Sequence, residues 1–504
     1  MLSPLETIPA PLEQVTSGVP GLDTILRGGF MRGGIYIFQG APGAGKTILS
    51  NQICFHHVRD NGGCALFVTL LAENHARMIQ HLRGLSFFDQ DLVADKVTYL
   101  SAFREMRDDG LKALTNLIRR EVQRRHCSML VIDGLVSARA TAETDLAFKE
   151  FIHDLQEIAL ATDCTTFLTT NLPQRADEAS PEHTMVDGLI ELNDRTYGWR
   201  AESDLQIRKF RGSGFLRGRH AYKITDKGFV AHPRIEALLA HPTREDQGSV
   251  AQTSSGVPGL DRMLNGGLPA ASTTMVMGPS GAGKTTVSLH FLAQSTEAEP
   301  GVMFGFYETP TRLMAKVDDI CKPLRALVDA GTVEVLWQPP TDDMLDAYGE
   351  RLLEAIHRRK VKRLVIDGLT SFHKAAVEPS RLDHFFTALA NELRVLGVTT
   401  LYTLEVPDIL GPAIRIPIND ISSLAENLIL LRFIELRAKL YRLVSILKVR
   451  DSGFDPSLHE FTIGPDGIVV HATEQSAEAI MSNFAPPPET VASSTPKAPK
   501  GRRS

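Results

Sequence analysis

The chain has 504 residues, of which 43% are hydrophobic and 23% charged, and its formal net charge is −6. This length exceeds what a single hydrophobic core supports and predicts two or three domains of an ordinary globular protein. No apolar run approaches 18 residues, which argues against a membrane-spanning helix, and the acidic balance argues against a protein that coats nucleic acid.

The N-terminal residues and the cysteines indicate the cellular compartment of the protein. The first residues lack the basic region and apolar block of a secretory signal. The five cysteines are scattered without Cys-x-x-Cys spacing, so we expect reduced, mostly buried thiols. These cysteines are Cys54, Cys64, Cys127, Cys164 and Cys321. Both features favour a cytoplasmic protein without a membrane partner.

Short β-rich runs alternate with helical stretches along the chain. In chain order we predict strand 35–38, strand 65–69, helix 109–125, strands 129–132 and 165–168, strands 274–277 and 302–304, helix 344–359, and strands 364–366 and 399–402. The strands are rich in apolar and β-branched residues, as strands buried on both faces are, and the helices place apolar residues at helical spacing. The alternation predicts an α/β fold, with a mostly parallel sheet and helices on both faces.

Landmarks of the first half recur in the second half. Four segments return in the same order: 17–23 at 255–261 and 40–47 at 278–285, both offset by 238 residues (255 − 17, 278 − 40), 130–135 at 364–369, offset by 234 (364 − 130), and 209–211 at 448–450, offset by 239 (448 − 209). The unit is far longer than the repeats of stacked arrays, so a tandem duplication of a whole domain is predicted. The predicted parts are an N-terminal extension 1–14, domain 1 at 15–239, a polar linker 240–252, domain 2 at 253–472, and a disordered tail 473–504 rich in Ala, Pro, Ser and Lys.

Each half carries a Gly-x-x-x-x-Gly-Lys-Thr segment between a predicted strand and a helix. This pattern predicts a loop whose backbone N–H groups surround the phosphates of ATP, with glycines where a Cβ would block close approach. Lys46 and Lys284 bring positive charge to the β- and γ-phosphates, which makes them catalytic candidates too. The predicted ATP ligands are Gly40, Ala41, Pro42, Gly43, Ala44, Gly45, Lys46 and Thr47, and Gly278, Pro279, Ser280, Gly281, Ala282, Gly283, Lys284 and Thr285.

Two aspartates end apolar strands downstream of these loops. Asp133 lies 93 residues beyond the start of the first loop (133 − 40), and Asp367 lies 89 beyond the second (367 − 278). A carboxylate in this position binds Mg²⁺ in phosphoryl-transfer sites, so we predict magnesium ligands at Thr47 with Asp133, and at Thr285 with Asp367. An apolar run ending in Asp-Gly is also a common strand-to-turn junction, and that alternative stays open.

Further segments extend the pattern beyond phosphate loops. They are Gly-Leu-Asp before the first strand, Ile-Asp-Gly in both halves, Lys-Phe-Arg-Gly-Ser at 209–213, and Ile-Ser-Ser-Leu-Ala-Glu-Asn-Leu-Ile-Leu-Leu at 421–431. With these segments the chain from about residue 18 to 470 resembles the KaiC family of double RecA-like ATPases, the hexameric phosphotransfer proteins of bacterial circadian clocks. The resemblance implies tandem RecA-like P-loop domains. It also implies a homohexamer of two stacked rings with ATP at subunit boundaries. As further partners we expect regulatory proteins on the ring surface or the C-terminal tail.

The resemblance also assigns cations that act across subunit boundaries. In the family, a Lys-x-Arg pair of one subunit reaches the γ-phosphate bound by its neighbour, where it neutralises charge that develops in the transition state. The resemblance therefore assigns Lys209 and Arg211 to the ATP sites of the first ring, and Lys448 and Arg450 to those of the second. A solvated strand edge is the alternative for these residues, since Asp451 stands where the family favours glycine.

The family places two adjacent glutamates just after the second strand, and this chain departs from that pattern. The second copy has Tyr307 and Glu308 there, so we predict Glu308 as the general base or water-orienting residue. The first copy has Leu71 and an alanine, with Glu73 one place later as a weaker catalytic candidate. We therefore expect the first domain to bind ATP mainly to hold the ring together.

Ser422 and Ser423 coincide with the Ser-Thr pair that the family autophosphorylates. The resemblance thus implies a serine/threonine autokinase in addition to an ATPase, with these serines as phosphoacceptors. Ordinary serine pairs cap helices or sit in turns, which remains the alternative.

Two other functions fit the same fold, because a RecA-like core does not decide what the protein does. One is a DNA-dependent recombinase or helicase motor, which needs cationic loops at the ring centre that this acidic chain does not clearly show. The other is a ring scaffold that binds ATP, barely hydrolyses it, and regulates a partner protein.

Overall fold

A computed structural model describes residues 13–71, 75–171, 181–245, 251–339, 344–407, 425–436, 439–450, 452–465 and 467–471. Two compact units hold one large sheet each. Glu73, the serine pair 422–423 and the predicted tail lie outside the described residues. None of the helices within these ranges combines the length and hydrophobicity that crossing a lipid bilayer requires.

The first repeat forms a sheet with helices packed around it. Its strands are β1 (Gln14–Val15), β2 (Phe30–Met31), β3 (Ile35–Gly40), β4 (Ala65–Thr69), β5 (Val97–Ser101), β6 (Met129–Asp133), β7 (Thr165–Thr170), β8 (Gly188–Tyr197), β9 (Arg200–Phe210), β10 (Arg219–Thr225) and β11 (Gly228–His232). Its helices are α1 (Leu22–Leu26), α2 (Lys46–Asn61), α3 (His75–Leu82), α4 (Phe103–Arg125), α5 (Leu135–Thr141), α6 (Asp145–Thr162), α7 (Pro181–Met185) and α8 (Ile235–Leu238). Among the described strands the sheet order is β11-β10-β9-β8-β3-β7-β6-β4-β5, parallel from β5 to β8 and antiparallel from β8 to β11.

The second repeat forms the same arrangement. Its strands are β12 (Gln252–Thr253), β13 (Leu268–Pro269), β14 (Thr273–Gly278), β15 (Gly301–Gly305), β16 (Val333–Trp337), β17 (Arg363–Asp367), β18 (Thr399–Glu405), β19 (Asn427–Leu436), β20 (Lys439–Lys448), β21 (His459–Gly464) and β22 (Gly467–Val470). Its helices are α9 (Pro258–Met263), α10 (Lys284–Leu292), α11 (Pro310–Ile320), α12 (Lys322–Asp329), α13 (Leu345–Arg359), α14 (Thr370–Ala375) and α15 (Arg381–Val395). Its described strands follow the order β16-β15-β17-β18-β14-β19-β20-β21-β22, again parallel as far as β19 and antiparallel beyond it.

Both faces of the first sheet are buried. Side chains alternate along a strand, and on β3 Tyr36 and Phe38 pack with α2 in one core while Ile35 and Ile37 pack with α4 and α6 in another. A strand covered on both faces must be apolar throughout, which explains why its sequence shows no polar alternation. The predicted α/β fold, with a mostly parallel sheet and helices on both faces, is confirmed in each repeat.

The recurring Ser-Gly-Val-Pro-Gly-Leu-Asp segment builds the turn that leads into the first helix of each repeat. The carboxylate of Asp23 accepts the backbone N–H of Ser17 at 2.8 Å, and Asp261 accepts that of Ser255 at the same distance. Gly256 has a φ of +77°, and a Cβ there would lie 2.1 Å from the carbonyl oxygen of His290. The strongest sequence repeat outside the phosphate loops therefore serves folding.

Candidate functional site

The two phosphate loops follow equivalent strands in the middle of the two sheets. β3 lies between β7 and β8, and β14 lies between β18 and β19. Loops that leave the carboxyl ends of neighbouring parallel strands converge there, which is where α/β sheets bind ligands. Cavities of about 450 and 410 Å³ open beside the first and second loop, a size that suits a small-molecule ligand.

The glycines of the loops occupy positions that other residues would not tolerate. Gly43 and Gly45 have φ values of +87° and +90°, and Gly281 and Gly283 have +77° and +109°. A Cβ at Gly40 would lie 2.6 Å from the carbonyl oxygen of Leu192. The loops can therefore wrap closely around an anion, with the N-terminal N–H groups of α2 and α10 beside it.

Each loop lysine forms hydrogen bonds with carbonyl oxygens of its own loop. Lys46 Nζ donates to the carbonyl oxygens of Gly40 and Ala41 at 2.6 and 2.9 Å, and Lys284 Nζ donates to those of Gly278 and Pro279 at 2.8 Å each. Burial lowers the pKa of both ammonium groups. A bound phosphate would favour their charged form, so each lysine is suited to a polyphosphate ligand.

The predicted magnesium ligands meet in both sites. The hydroxyl of Thr47 donates to the carboxylate of Asp133 at 3.1 Å, and the hydroxyl of Thr285 donates to that of Asp367 at the same distance. These hydroxyl and carboxylate oxygens are the hard ligands that Mg²⁺ prefers, so the donor set fits this ion. Burial raises the pKa of Asp367, and a divalent cation beside it would favour the ionised carboxylate.

Two threonines that the sequence analysis did not name fix these aspartates. Thr169 donates to Asp133, and Thr403 donates to Asp367 at 2.6 Å. Each threonine hydroxyl also accepts the N–H of the glycine that follows the aspartate, at 3.1 and 2.8 Å. The threonines are offset by 234 residues (403 − 169), as the aspartates are (367 − 133), and this shared offset is the signal that could have found them.

The two pockets differ where the reaction would take place. Beside the first loop, Leu71 and Val136 expose apolar side chains, and Asp133 is the carboxylate among the described lining residues. Beside the second loop, Glu308 and Glu405 join Asp367. Glu405, like the two threonines, was not predicted from the sequence, although it lies two residues beyond Thr403, as Asn171 of the first pocket lies two residues beyond Thr169.

Glu308 is oriented by a cation. One carboxylate oxygen, Oε1, is ion-paired with Lys316 Nζ. The other, Oε2, is buried and has no hydrogen-bond partner among the residues that the structure describes. A buried acceptor without a hydrogen-bond partner can accept a hydrogen bond from a water molecule or from a ligand. The structure thus places the predicted base in the second pocket.

Tyr307 fills the position of the family's other glutamate. Its hydroxyl lies 3.2 Å from Thr370 Oγ1 and accepts a hydrogen bond from Lys374 Nζ at 3.4 Å. Partial burial acts to raise the pKa of the phenol, but neighbouring hydrogen bonds and the charge of Lys374 lower it overall. Tyr307 therefore brings a phenol hydroxyl to the rim of the pocket, at the position where the resemblance predicts a carboxylate.

The predicted cations of the first domain lie away from their own phosphate loop. The N–H of Arg211 donates to the carbonyl oxygen of Asp187, whose own N–H donates to Ile35, the first residue of β3. Gly40 comes five residues later, about 16 Å along the strand. Lys209 Nζ donates to the carbonyl oxygens of His183 and Thr184 at 3.0 and 2.8 Å.

The second repeat has the same geometry. The N–H of Arg450 donates to Asn427 Oδ1 at 3.2 Å, and Asn427 pairs with Thr274, four residues or about 13 Å before Gly278. Lys448 Nζ donates to the carbonyl oxygen of Ala425 at 3.5 Å. In neither repeat does the described chain bring these cations to the loop of the same repeat.

Comparison with known proteins agrees with this geometry. The family model described as "ATPase: KaiC" matches residues 15–236 and again 253–475. The "Circadian clock oscillator protein KaiC" of Picosynechococcus sp. is 24% identical over 487 residues, which cover 94% of this chain and 92% of that protein. The protein of the same name from Synechococcus elongatus is 24% identical over 478 residues, 92% of this chain and 90% of that one. "Circadian clock protein KaiC3" of Synechocystis sp. is 23% identical over 484 residues, 94% of each chain.

Proposed function

Because the chain belongs to the KaiC family of P-loop ATPases, we propose that its two domains use Mg-ATP unequally. The second domain hydrolyses ATP, and the first binds it mainly to hold a homohexameric double ring together. The observation that carries this proposal is the difference between the pockets, with Glu308 and Lys316 beside the second loop and exposed Leu71 and Val136 beside the first.

In the second domain the loop amides and Lys284 bind the β- and γ-phosphates. Glu308 orients the attacking water through Oε2 and accepts its proton, while Lys316 keeps the carboxylate in place. Thr285 and Asp367 would hold Mg²⁺, which supplies charge neutralisation on the phosphates when bound. Thr403 fixes the orientation of Asp367.

The position of the cations supports the proposed ring assembly. Arg211 and Arg450 are exposed, and within one chain they lie more than ten ångströms along the sheet from the loops they would serve. A cation that stabilises the transition state must contact the phosphoryl group. We therefore assign these arginines, with Lys209 and Lys448, to the sites of a neighbouring subunit, as in a closed ring of identical chains.

We further propose that the second ring transfers phosphate to Ser422 or Ser423 and works as an ATP-driven switch that regulatory proteins read. In sequence the two serines come just before Ala425 and Glu426, which contact the cations Lys448 and Arg450 through a hydrogen bond and a 3.8 Å ion pair. The predicted acceptors are thus close in sequence to two residues that contact the cations proposed to reach a neighbour's γ-phosphate. The added charge would then alter the subunit boundary.

The division of labour is tested by removing one loop lysine at a time. We expect Lys46→Ala to impair hexamer formation with Mg-ATP, and Lys284→Ala to leave hexamers that have lost turnover. Size-exclusion chromatography and a phosphate-release assay measure the two properties on the same preparations. Intact Lys46→Ala hexamers, or Lys284→Ala hexamers that hydrolyse ATP normally, would contradict the proposal.

A further inference from the structure

Two cysteines of the first repeat lie in contact. Cys64 Sγ and Cys127 Sγ are 3.4 Å apart, although 63 residues separate them in sequence. All five cysteines lie in the described residues, and Cys64 is half-buried while the other four are buried. The one thiol with partial access to solvent therefore has another thiol beside it.

Strand pairing explains this contact. Cys64 comes just before β4 and Cys127 lies two residues before β6, and the two strands are parallel neighbours with Ala65 opposite Met129. The N–H of Ser128 donates to the carbonyl oxygen of Cys64 at 3.0 Å. The backbone thus holds both cysteines next to each other at the amino ends of β4 and β6.

Two cations lie close to the half-buried Cys64 and influence its thiol. The hydrogen bond with Cys127, together with the charges of Arg125 and Lys96, lowers the pKa of Cys64 to about 7, although burial and Asp95 oppose this. Arg125 is itself held by Glu121 at 3.2 Å and by Thr98 at 3.1 Å. The hydrogen bond with Cys64, together with burial, raises the pKa of Cys127. Since Cys64 is also the half-buried member of the pair and Cys127 the buried one, Cys64 is suited to act as the nucleophile and Cys127 as the resolving thiol.

We propose that Cys64 and Cys127 form a peroxide-reactive dithiol that closes to an intramolecular disulfide. The Cys64 thiolate attacks one oxygen of hydrogen peroxide, the O–O bond breaks, and hydroxide leaves, which gives a sulfenic acid. The sulfur of Cys127 then attacks Cys64, the S–S bond forms, and the departing hydroxide takes the proton of the Cys127 thiol. Two thiols are oxidised to one disulfide, and one peroxide is reduced to two water molecules.

The dithiol lies at the opposite end of the strands from the nucleotide pocket. Cys127 precedes β6, whereas Asp133 ends it, about 13 Å further along the strand from Met129. The disulfide would link the two ends of the segment that runs from β4 to β6. This segment includes α4 and the edge strand β5. Oxidation should therefore stabilise this edge against unfolding and leave the phosphate and magnesium ligands in place.

The test treats the native full-length protein with a small excess of hydrogen peroxide, blocks free thiols, and maps peptides without reduction. We expect a linked peptide pair containing Cys64 and Cys127, with a loss of about 2 Da that a reductant reverses. The Cys64→Ser variant should lose the reaction, and Cys321→Ser, a buried thiol of the second repeat, should keep it. In Cys127→Ser, dimedone should trap a sulfenic acid on Cys64.

Three results would overturn the proposal: unreacted Cys64 after treatment, a disulfide from Cys64 to Cys164 or to another subunit, or direct conversion of Cys64 to the sulfinic acid in the wild type. Circular dichroism of each variant checks folding. If a serine variant does not fold, the peptide map of the wild type still decides between the outcomes.

Discussion

The carboxylate of Glu308 is ion-paired with Lys316, eight residues later on α11, and its second oxygen lies buried without a partner among the described residues. The helix therefore positions the glutamate from one side and leaves the other side for a ligand. No equivalent carboxylate lines the first pocket in the described part of the chain, where Leu71 stands at the position of Tyr307. Because of this difference, we expect ATP hydrolysis in the second site and mainly ATP binding in the first.

Replacing Glu308 by Gln keeps the shape of the side chain and removes its basicity. We expect ATP turnover to fall about tenfold or more, with little change in nucleotide affinity, because the residue acts on the attacking water. Glu334→Gln, an acidic residue on β16 that pairs with Arg358 and Arg359, is the matched control. An unchanged turnover rate in Glu308→Gln would leave the assignment without support.

Thr403 offers a test of metal positioning in the second site. Thr403→Val removes the hydrogen bonds to Asp367 and Gly368, so we expect the Mg²⁺ concentration for half-maximal turnover to rise about tenfold or more. Thr169→Val makes the same change around Asp133 in the first site and should leave this Mg²⁺ dependence nearly unaltered. Equal effects of the two variants would show that both sites contribute to turnover.

Mixed rings test whether Arg450 acts on a neighbour. Rings of Arg450→Ala alone and of Lys284→Ala alone should both be inactive. We then assemble rings from equal amounts of the two variants. Half of the chains have an intact loop and the other half an intact arginine, so about a quarter of the subunit boundaries combine both. About a quarter of wild-type turnover should therefore return. Mixed rings that stay as inactive as the parents would place the arginine in the site of its own chain.

Phosphoryl transfer to the serines is tested by mapping. After incubation with Mg-ATP, we expect phosphate on Ser422 or Ser423, and we expect it to be absent from the Lys284→Ala variant, whose loop cannot hold the donor. Quantitative phosphopeptide mass spectrometry measures both. A wild-type protein that hydrolyses ATP while both serines stay unmodified would leave an ATPase without autokinase activity.

The central strands were predictable from sequence because they are buried on both faces and so are rich in apolar residues, with threonines in β7 and β18. The edge strands β5 and β16 were not named, since a half-buried edge such as Val97–Ser101 mixes polar and apolar residues. The antiparallel extension from β8 to β11 was missed for a similar reason: the strand Arg200–Phe210 has few fully buried residues and carries many charges.

In the site, the loops could be found because their residue types form a pattern of fixed spacing, and Asp133 and Asp367 could be found because each ends an apolar strand downstream of a loop. Thr169 and Thr403 gave no local signal, because a threonine near a strand end is common. The distance from Arg211 to its own loop depends on strand register, which no spacing in the sequence encodes. The roles assigned to Glu73, Ser422 and Ser423 stay predictions, since these residues lie outside the described chain.

The most direct measurement is the number of Mg-ATP molecules bound per chain, determined by equilibrium dialysis with a non-hydrolysable analogue. Two loops with the same lysine and glycine geometry predict two molecules per wild-type chain, one for each of the single variants Lys46→Ala and Lys284→Ala, and none for the double variant. A wild-type chain that binds no nucleotide, or a double variant that binds as well as the wild type, would contradict the account.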